Sequence, residues 1–171
     1  AYEVVQKQRV AWGNRLVSSG QPVTSESESP SRASIYHDVF KKLEKQIVDD
    51  IEPQLDQSTI WPWLKAQRGI AVRLGARIVQ EIDIAKAQHI SSLWKFAGLD
   101  VQDGKAPKPT KGQKLSYCSR LRSSLHILAE SMLRCKSPYR VYYDESKARY
   151  QTREGWTKLH IHLAARRYML K

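Results

Sequence analysis

The residues whose types and spacing could do chemistry form two basic groups and a scatter of metal- and nucleophile-type side chains. From Leu64 to Ile78 the chain reads LKAQRGIAVRLGARI, and Lys65, Arg68, Arg73 and Arg77 fall between Asp56 and Glu81 with no acid among them. A glycine at Gly69 lets the backbone approach a phosphate, and the N–H groups that begin the following helix have no partner within it. Gly69, Ile70 and Ala71 are therefore expected to present N–H groups to an anion, aided by the positive end of the helix dipole. A run of like charge is usually just a solvated face; this one surrounds a loop shaped to accept a phosphate. In the second group, Lys105, Lys108, Lys111 and Lys114 recur every third residue, and no acid occurs from Gly104 through Ala129. An extended arm with that spacing tracks a sugar-phosphate backbone, although lysine equally serves to keep a loop hydrated. Arg120 and Arg122 continue the basic run into the next helix.

The remaining groups do not assemble into a catalytic set. Two histidines at positions 160 and 162 of one helix point to different faces, and Cys118 and Cys135 lack the short paired spacing of a zinc site. Asp49, Asp50 and Glu52 lie on the outer face of a helix, where adjacent positions diverge by about 100 degrees, so they do not converge on a metal. No Gly-rich nucleotide loop or Ser-centred nucleophile elbow occurs, and Glu81 with Asp83 does not amount to a two-metal nuclease centre. No cofactor or metal is expected. The chemistry implied is anion binding.

The charge balance points the same way. The 171 residues carry a formal net charge of +12. A surplus of that size favours a polyanionic partner, nucleic acid before an anionic membrane. No apolar run reaches the roughly 18 residues of a membrane span, and the N-terminus lacks the pattern of a secretory leader. The chain reads as soluble and cytoplasmic, in a prokaryotic, DNA-associated setting, and its two cysteines suit a reducing compartment. It begins at Ala1 and ends at Lys171 inside a helical pattern, which suggests a piece of a longer protein.

The elements that must position these residues read as helices. Strict alternation is hard to find, and Gly and Pro are sparse, so the expected fold class is all-α. Tyr2, Val5, Trp12 and Leu16 mark a first helix. A Ser/Glu-rich linker follows at 18–34, within which phosphorylation of the serines is conceivable and a solvated connector the plainer reading. Ile35, Val39, Leu43, Ile47 and Ile51 then recur every four residues as the apolar stripe of a second helix, widened by Tyr36, Phe40 and Val48, which Pro53 is expected to end. Residues 1–57 thus form an N-terminal region and 58–171 a second domain. In the latter, Ser58 or Thr59 would cap a short helix holding Trp61, Trp63 and Leu64. Leu64, Ile70, Leu74 and Ile78 are spaced to pack that helix on the next, an arrangement resembling a helix-hairpin-helix DNA-binding motif. Trp94 and Phe96 read as core rather than as a base-stacking platform. Leu121, Leu125, Leu128, Met132 and Cys135 face one side of a long helix broken by Pro138. Tyr139–Tyr150 forms another, and a last helix starts near Trp156.

Taken together, GIAVRLGARIVQEIDI from Gly69, LWKFAGLDV from Leu93, KGQKLSY from Lys111, YRVYYDESKARY from Tyr139 and WTKLHIHLAARRYMLK from Trp156 resemble the C-terminal half of the DEDD-type transposases of the insertion-sequence one-ten family. The resemblance covers about residues 60–171. It implies an all-helical domain that grips duplex DNA through a helix-hairpin-helix, while four catalytic acids come from a RuvC-like domain that this sequence lacks. The family's serine nucleophile lies in a Ser-Gly-rich loop; the matching loop here reads DGKAPKPTKGQ, and the nearest serine is Ser116, after it. Ala71 replaces the usual second glycine of the hairpin, and Gln67 stands where an apolar residue is common. The leading expectation is a non-enzymatic protein or fragment that binds duplex phosphates largely without reading sequence. Two others stand beside it: a recombinase component whose catalytic acids come from a missing domain or a partner chain, with Ser116 as candidate nucleophile, and an RNA-binding module; the partner chain could also be a second copy of this one.

Overall fold

The computed structural model of the chain describes residues 1–20, 31–101 and 104–171. All regular structure among the described residues is helical, in eight α-helices and one 3-10 turn, with no strand. The chain divides into two compact units, Ala1–Gln57 and Ser58–Lys171.

The first unit pairs α1 (Tyr2–Ser18) with α2 (Arg32–Leu55). Helix α2 begins where the Ser31 side chain accepts from the Ser34 N–H, so the connection is shorter at both ends than the expected 18–34, and the run Ser25–Pro30 lies outside the described residues. Pro53 does not end α2. It sits in the last turn, where it removes only one backbone donor, and the Asp56 N–H still reaches the Glu52 carbonyl. The face that α2 turns to α1 lies to one side of the Ile35, Val39 and Leu43 row. Gly13 of α1 stands against the His37 ring, Trp12 stacks on Tyr36 at 4.7 Å, and Arg9 pairs with Glu44 at 2.7 Å. His37 and Glu44 are buried, whereas Ile35, Val39 and Leu43 are exposed.

In the second unit, α3 (Trp61–Ala66) and α4 (Val72–Glu81) pack on each other. Their packing depends on Gly75, whose missing side chain makes room for the Trp61 ring; a Cβ there would fall inside it. Leu64, Ile70, Leu74 and Ile78 are buried, as their spacing predicts, and so is Trp61. Helix α3 takes no side-chain cap from Ser58 or Thr59; Ile60 stands at its N-cap, and the Trp61 N–H donates to the Ser58 carbonyl. A 3-10 turn at Ile84–Lys86 and the short α5 (Ile90–Phe96) follow.

Helix α6 (Ser119–Arg134) is the axis of this unit, touching both α4 and α8. Ala97, Leu99 and Leu121 form a small core against which Trp94 and Leu125 lie partly buried, while Phe96 is exposed. Cys135 is exposed as well, because α6 ends at Arg134 and the chain turns away through Lys136 at a φ of 50°. Helices α7 (Arg140–Gln151) and α8 (Lys158–Met169) form the last pair. Helix α8 starts two residues after Trp156, where Thr157 and His160 form a capping box.

Candidate nucleic-acid interface

The turn between α3 and α4 is built around Gly69, which adopts a φ of +96°. Such a backbone is open to glycine and strained for other residues. Its carbonyl accepts from the Ser131 hydroxyl on α6 at 2.7 Å, and a Cβ on Gly69 would stand 3.1 Å from the Ser131 and Met132 backbone. Gly69 thus permits a close approach to α6. The Ile70 N–H is likewise engaged, donating to the Gln67 carbonyl at 3.2 Å, and the Ile70 side chain is buried. Of the three residues expected to present N–H groups, Ala71 takes the N-cap position. It has no side chain able to cap, and no acid lies in the first turn of α4. Lys65, Arg68 and Arg73 are exposed, and Arg77, one turn further along α4 than Arg73, is half-buried.

The loop from Gly104 to Tyr117 is held at defined points. Arg122 of α6 donates through Nη1 to the Pro107 carbonyl at 2.8 Å and lies over the Tyr117 ring at 4.6 Å. Arg167 of α8 donates to the Gly98 and Asp100 carbonyls, at 3.0 and 2.9 Å, just before the loop. Beyond it the Cys118 N–H reaches the Phe96 carbonyl at 2.8 Å. Pro107 is buried, while Lys105, Lys108, Lys111 and Lys114 are exposed. Lys111 occupies the corner of a turn closed by the Gln113 N–H on the Thr110 carbonyl, with Gly112 at a φ of +80°. Ser116 is exposed near the end of this loop. Arg122, expected to face nucleic acid, is thus an anchor of the lysine-bearing loop. Arg120 keeps most of its surface in solvent while pairing with Glu81 at 3.1 Å; the other Glu81 oxygen accepts from the Cys118 thiol at 3.3 Å.

These interactions order the two basic groups along α6. Gly69 meets α6 near its C-terminal end at Ser131, and Glu81 meets its N-terminal end at Cys118 and Arg120, so α4 runs antiparallel to α6. At 1.5 Å per residue, the α3–α4 turn and the base of the lysine loop are separated by about 20 Å along the helix.

Between α6 and α8 the field is positive. Arg166 is buried, pairs with Glu130 at 2.6 Å and donates to the His126 carbonyl at 2.8 Å. Burial, and then the charges of Arg166, Arg122 and Arg167, hold the His126 imidazole below its ordinary pKa. Burial and Arg122 likewise lower that of Arg167.

A third basic region lies outside the two groups that the sequence pattern marks. On α7 and α8, Tyr143 and His162 share a hydrogen bond of 2.7 Å beside a cleft of about 570 Å³, and Arg149, Tyr150, Arg153 and Trp156 interleave at the turn. A signal is present in the sequence: from Lys147 to Lys171 seven Lys and Arg residues face one acid, Glu154. Among the described residues no group of three or more acids, histidines and cysteines is placed to hold a metal. No helix of the described residues is long and apolar enough to cross a membrane. No protein-family model, curated protein or solved structure matches the chain.

Proposed function

We propose that the chain binds duplex DNA through its phosphates, mainly without regard to sequence, as the C-terminal domains of the insertion-sequence one-ten transposases would. The observation that carries this reading is the start of α4. The first turn of α4 holds no acid, its alanine N-cap offers no side chain to its leading N–H groups, and Arg68, just before it in the chain, is exposed. The lysine loop supplies a second set of exposed cations about 20 Å away along α6. On one DNA strand that span corresponds to about six nucleotides, and binding of this kind positions DNA without reading its bases.

The experiment is duplex affinity against salt for the parent protein, an Arg68→Ala, Arg73→Ala variant and a Lys108→Ala, Lys111→Ala, Lys114→Ala variant. Every cation removed from a phosphate should reduce the slope of log K against log salt by about 0.9. Unchanged affinity and slope in both variants would sink the proposal, and a preference for structured RNA over duplex would replace it with an RNA-binding reading.

A further inference from the structure

The C-terminal helix pair carries a surface that the duplex reading does not use. Its first component is a ladder of rings and guanidinium groups. Arg149 Cζ lies 4.8 Å from the Tyr168 ring centroid and 5.3 Å from that of Tyr150. Arg153 Cζ lies 5.1 Å from Tyr150 and 4.9 Å from Trp156. The Tyr150 and Trp156 rings are themselves 5.5 Å apart, tilted by 35°, and His160 stands edge-on to Trp156 at 6.5 Å. Trp156 and Tyr168 keep 36% and 42% of their surface in solvent, so the ladder ends on open rings and is not sealed into a core.

The second component is the cleft between α7 and α8, lined by Tyr143, Lys147, Gln151, Lys158, Ile161 and His162. No acid is among these residues. Lys147 and Lys158 come from different helices and are both exposed, as a pair that receives a phosphate must be. Glu130 lies 3.4 Å from His162 Nε2 and is engaged by Arg166 at 2.6 Å. The cleft volume of about 570 Å³ falls within the range of small-ligand sites, and Gln151 offers both a donor and an acceptor to a base edge.

We infer that the α7–α8 pair binds an unpaired nucleic-acid strand, with bases stacked on the exposed Trp156 and Tyr168 rings at the ends of the ladder and backbone phosphate held by Lys147 and Lys158. The argument for an unpaired strand is the type of group on offer. In a duplex the faces of the bases are hidden by stacking, and only their edges are accessible in the grooves. Exposed rings separated by arginines instead match single bases, each of which has a face to stack, and Arg adds cation–π attraction. The ladder and the cleft adjoin in the chain: Gln151 follows Tyr150, and Lys158 is two residues beyond Trp156. The site uses no residue of α3, α4 or the lysine loop and stands independently of the duplex reading.

The test follows tryptophan fluorescence and anisotropy of the full chain with labelled oligothymidylate and oligouridylate. Stacking on Trp156 should quench its emission, and Trp156→Ala should abolish that quench and weaken strand binding about tenfold or more. Lys147→Ala with Lys158→Ala should lower the salt slope by the equivalent of up to about two phosphates while the quench persists. Should Trp156→Ala disturb the fold, Trp156→Phe keeps a ring, and Arg153→Gln breaks the ladder without removing one. Binding of either oligonucleotide with this signature supports the site, and the tighter of the two names its source. The Arg68→Ala, Arg73→Ala variant should retain the quench even where it loses duplex, which separates failure of one reading from failure of the other. An unchanged quench and affinity in Trp156→Ala and Arg153→Gln overturns the inference.

Discussion

Ser131 of α6 donates its hydroxyl to the carbonyl of Gly69 at 2.7 Å, pinning the α3–α4 turn to the helix that runs through the second unit. Two costs meet when Gly69 is replaced. An L-residue is strained at a φ of +96°, by about 1–2 kcal/mol, and its Cβ would press on the Ser131 and Met132 backbone at 3.1 Å. Gly69→Ala is therefore expected to destabilise the protein by about 2 kcal/mol or more, since backbone cannot step aside as a flexible side chain can. Ser131→Ala removes only the hydrogen bond and should cost about 1 kcal/mol. Urea unfolding followed by far-UV circular dichroism measures both. Equal effects of the two substitutions would mean that the turn tolerates a side chain and that the φ carries little of the constraint.

How far this arrangement is legible in the chain depends on which neighbour decides each residue's role. Leu64, Ile70, Leu74 and Ile78 are readable because helical spacing puts them on one side and that side is buried. The all-helical class follows from the same periodicity. The stripe of Ile35, Val39 and Leu43 shows its limit. Spacing tells which residues share a face, but Gly13 and Arg9 of α1 meet α2 beside that row, through His37 and Glu44. Gly69 is readable as a position of close backbone approach, but the sequence does not name what approaches it. Arg122 is legible as a cation and illegible as an anchor, because its acceptor lies 15 residues away on a loop without regular structure. The Arg–aromatic ladder escapes a linear reading because its members are divided between two helices and the turn joining them.

The anchoring by Arg122 has a measurable outcome. Its guanidinium holds the Pro107 carbonyl at 2.8 Å and covers the Tyr117 ring, fixing the base of the lysine loop at two points. Arg122→Met keeps much of the packing volume while removing the donor and the charge. A charge-assisted hydrogen bond of this kind contributes about 1.5–3 kcal/mol, so the loop should open roughly tenfold more often or beyond. Limited trypsin digestion reads this directly, as faster cleavage after Lys111 and Lys114. Cleavage there at the parent rate, with the fold intact, would show that the loop is held by its other attachments alone.

His126 predicts the pH response of the second unit. Burial depresses its pKa most, followed by the charges of Arg166, Arg122 and Arg167, with Glu130 acting in the opposite sense. The folded imidazole therefore binds its proton at lower pH than the unfolded one, whose ordinary value is 6.5. Between those two pKa values the unfolded chain carries more protons, so stability rises with pH across the window. The contribution is fully present above 6.5 and is lost as the pH falls through the folded pKa, below which it is flat. The urea midpoint, followed from about pH 8 to about pH 5, should fall through this window in the parent. In His126→Gln, which cannot take up the proton, that part of the decline should disappear. A His126→Gln profile that still falls in parallel with the parent would assign the pH dependence to groups other than His126.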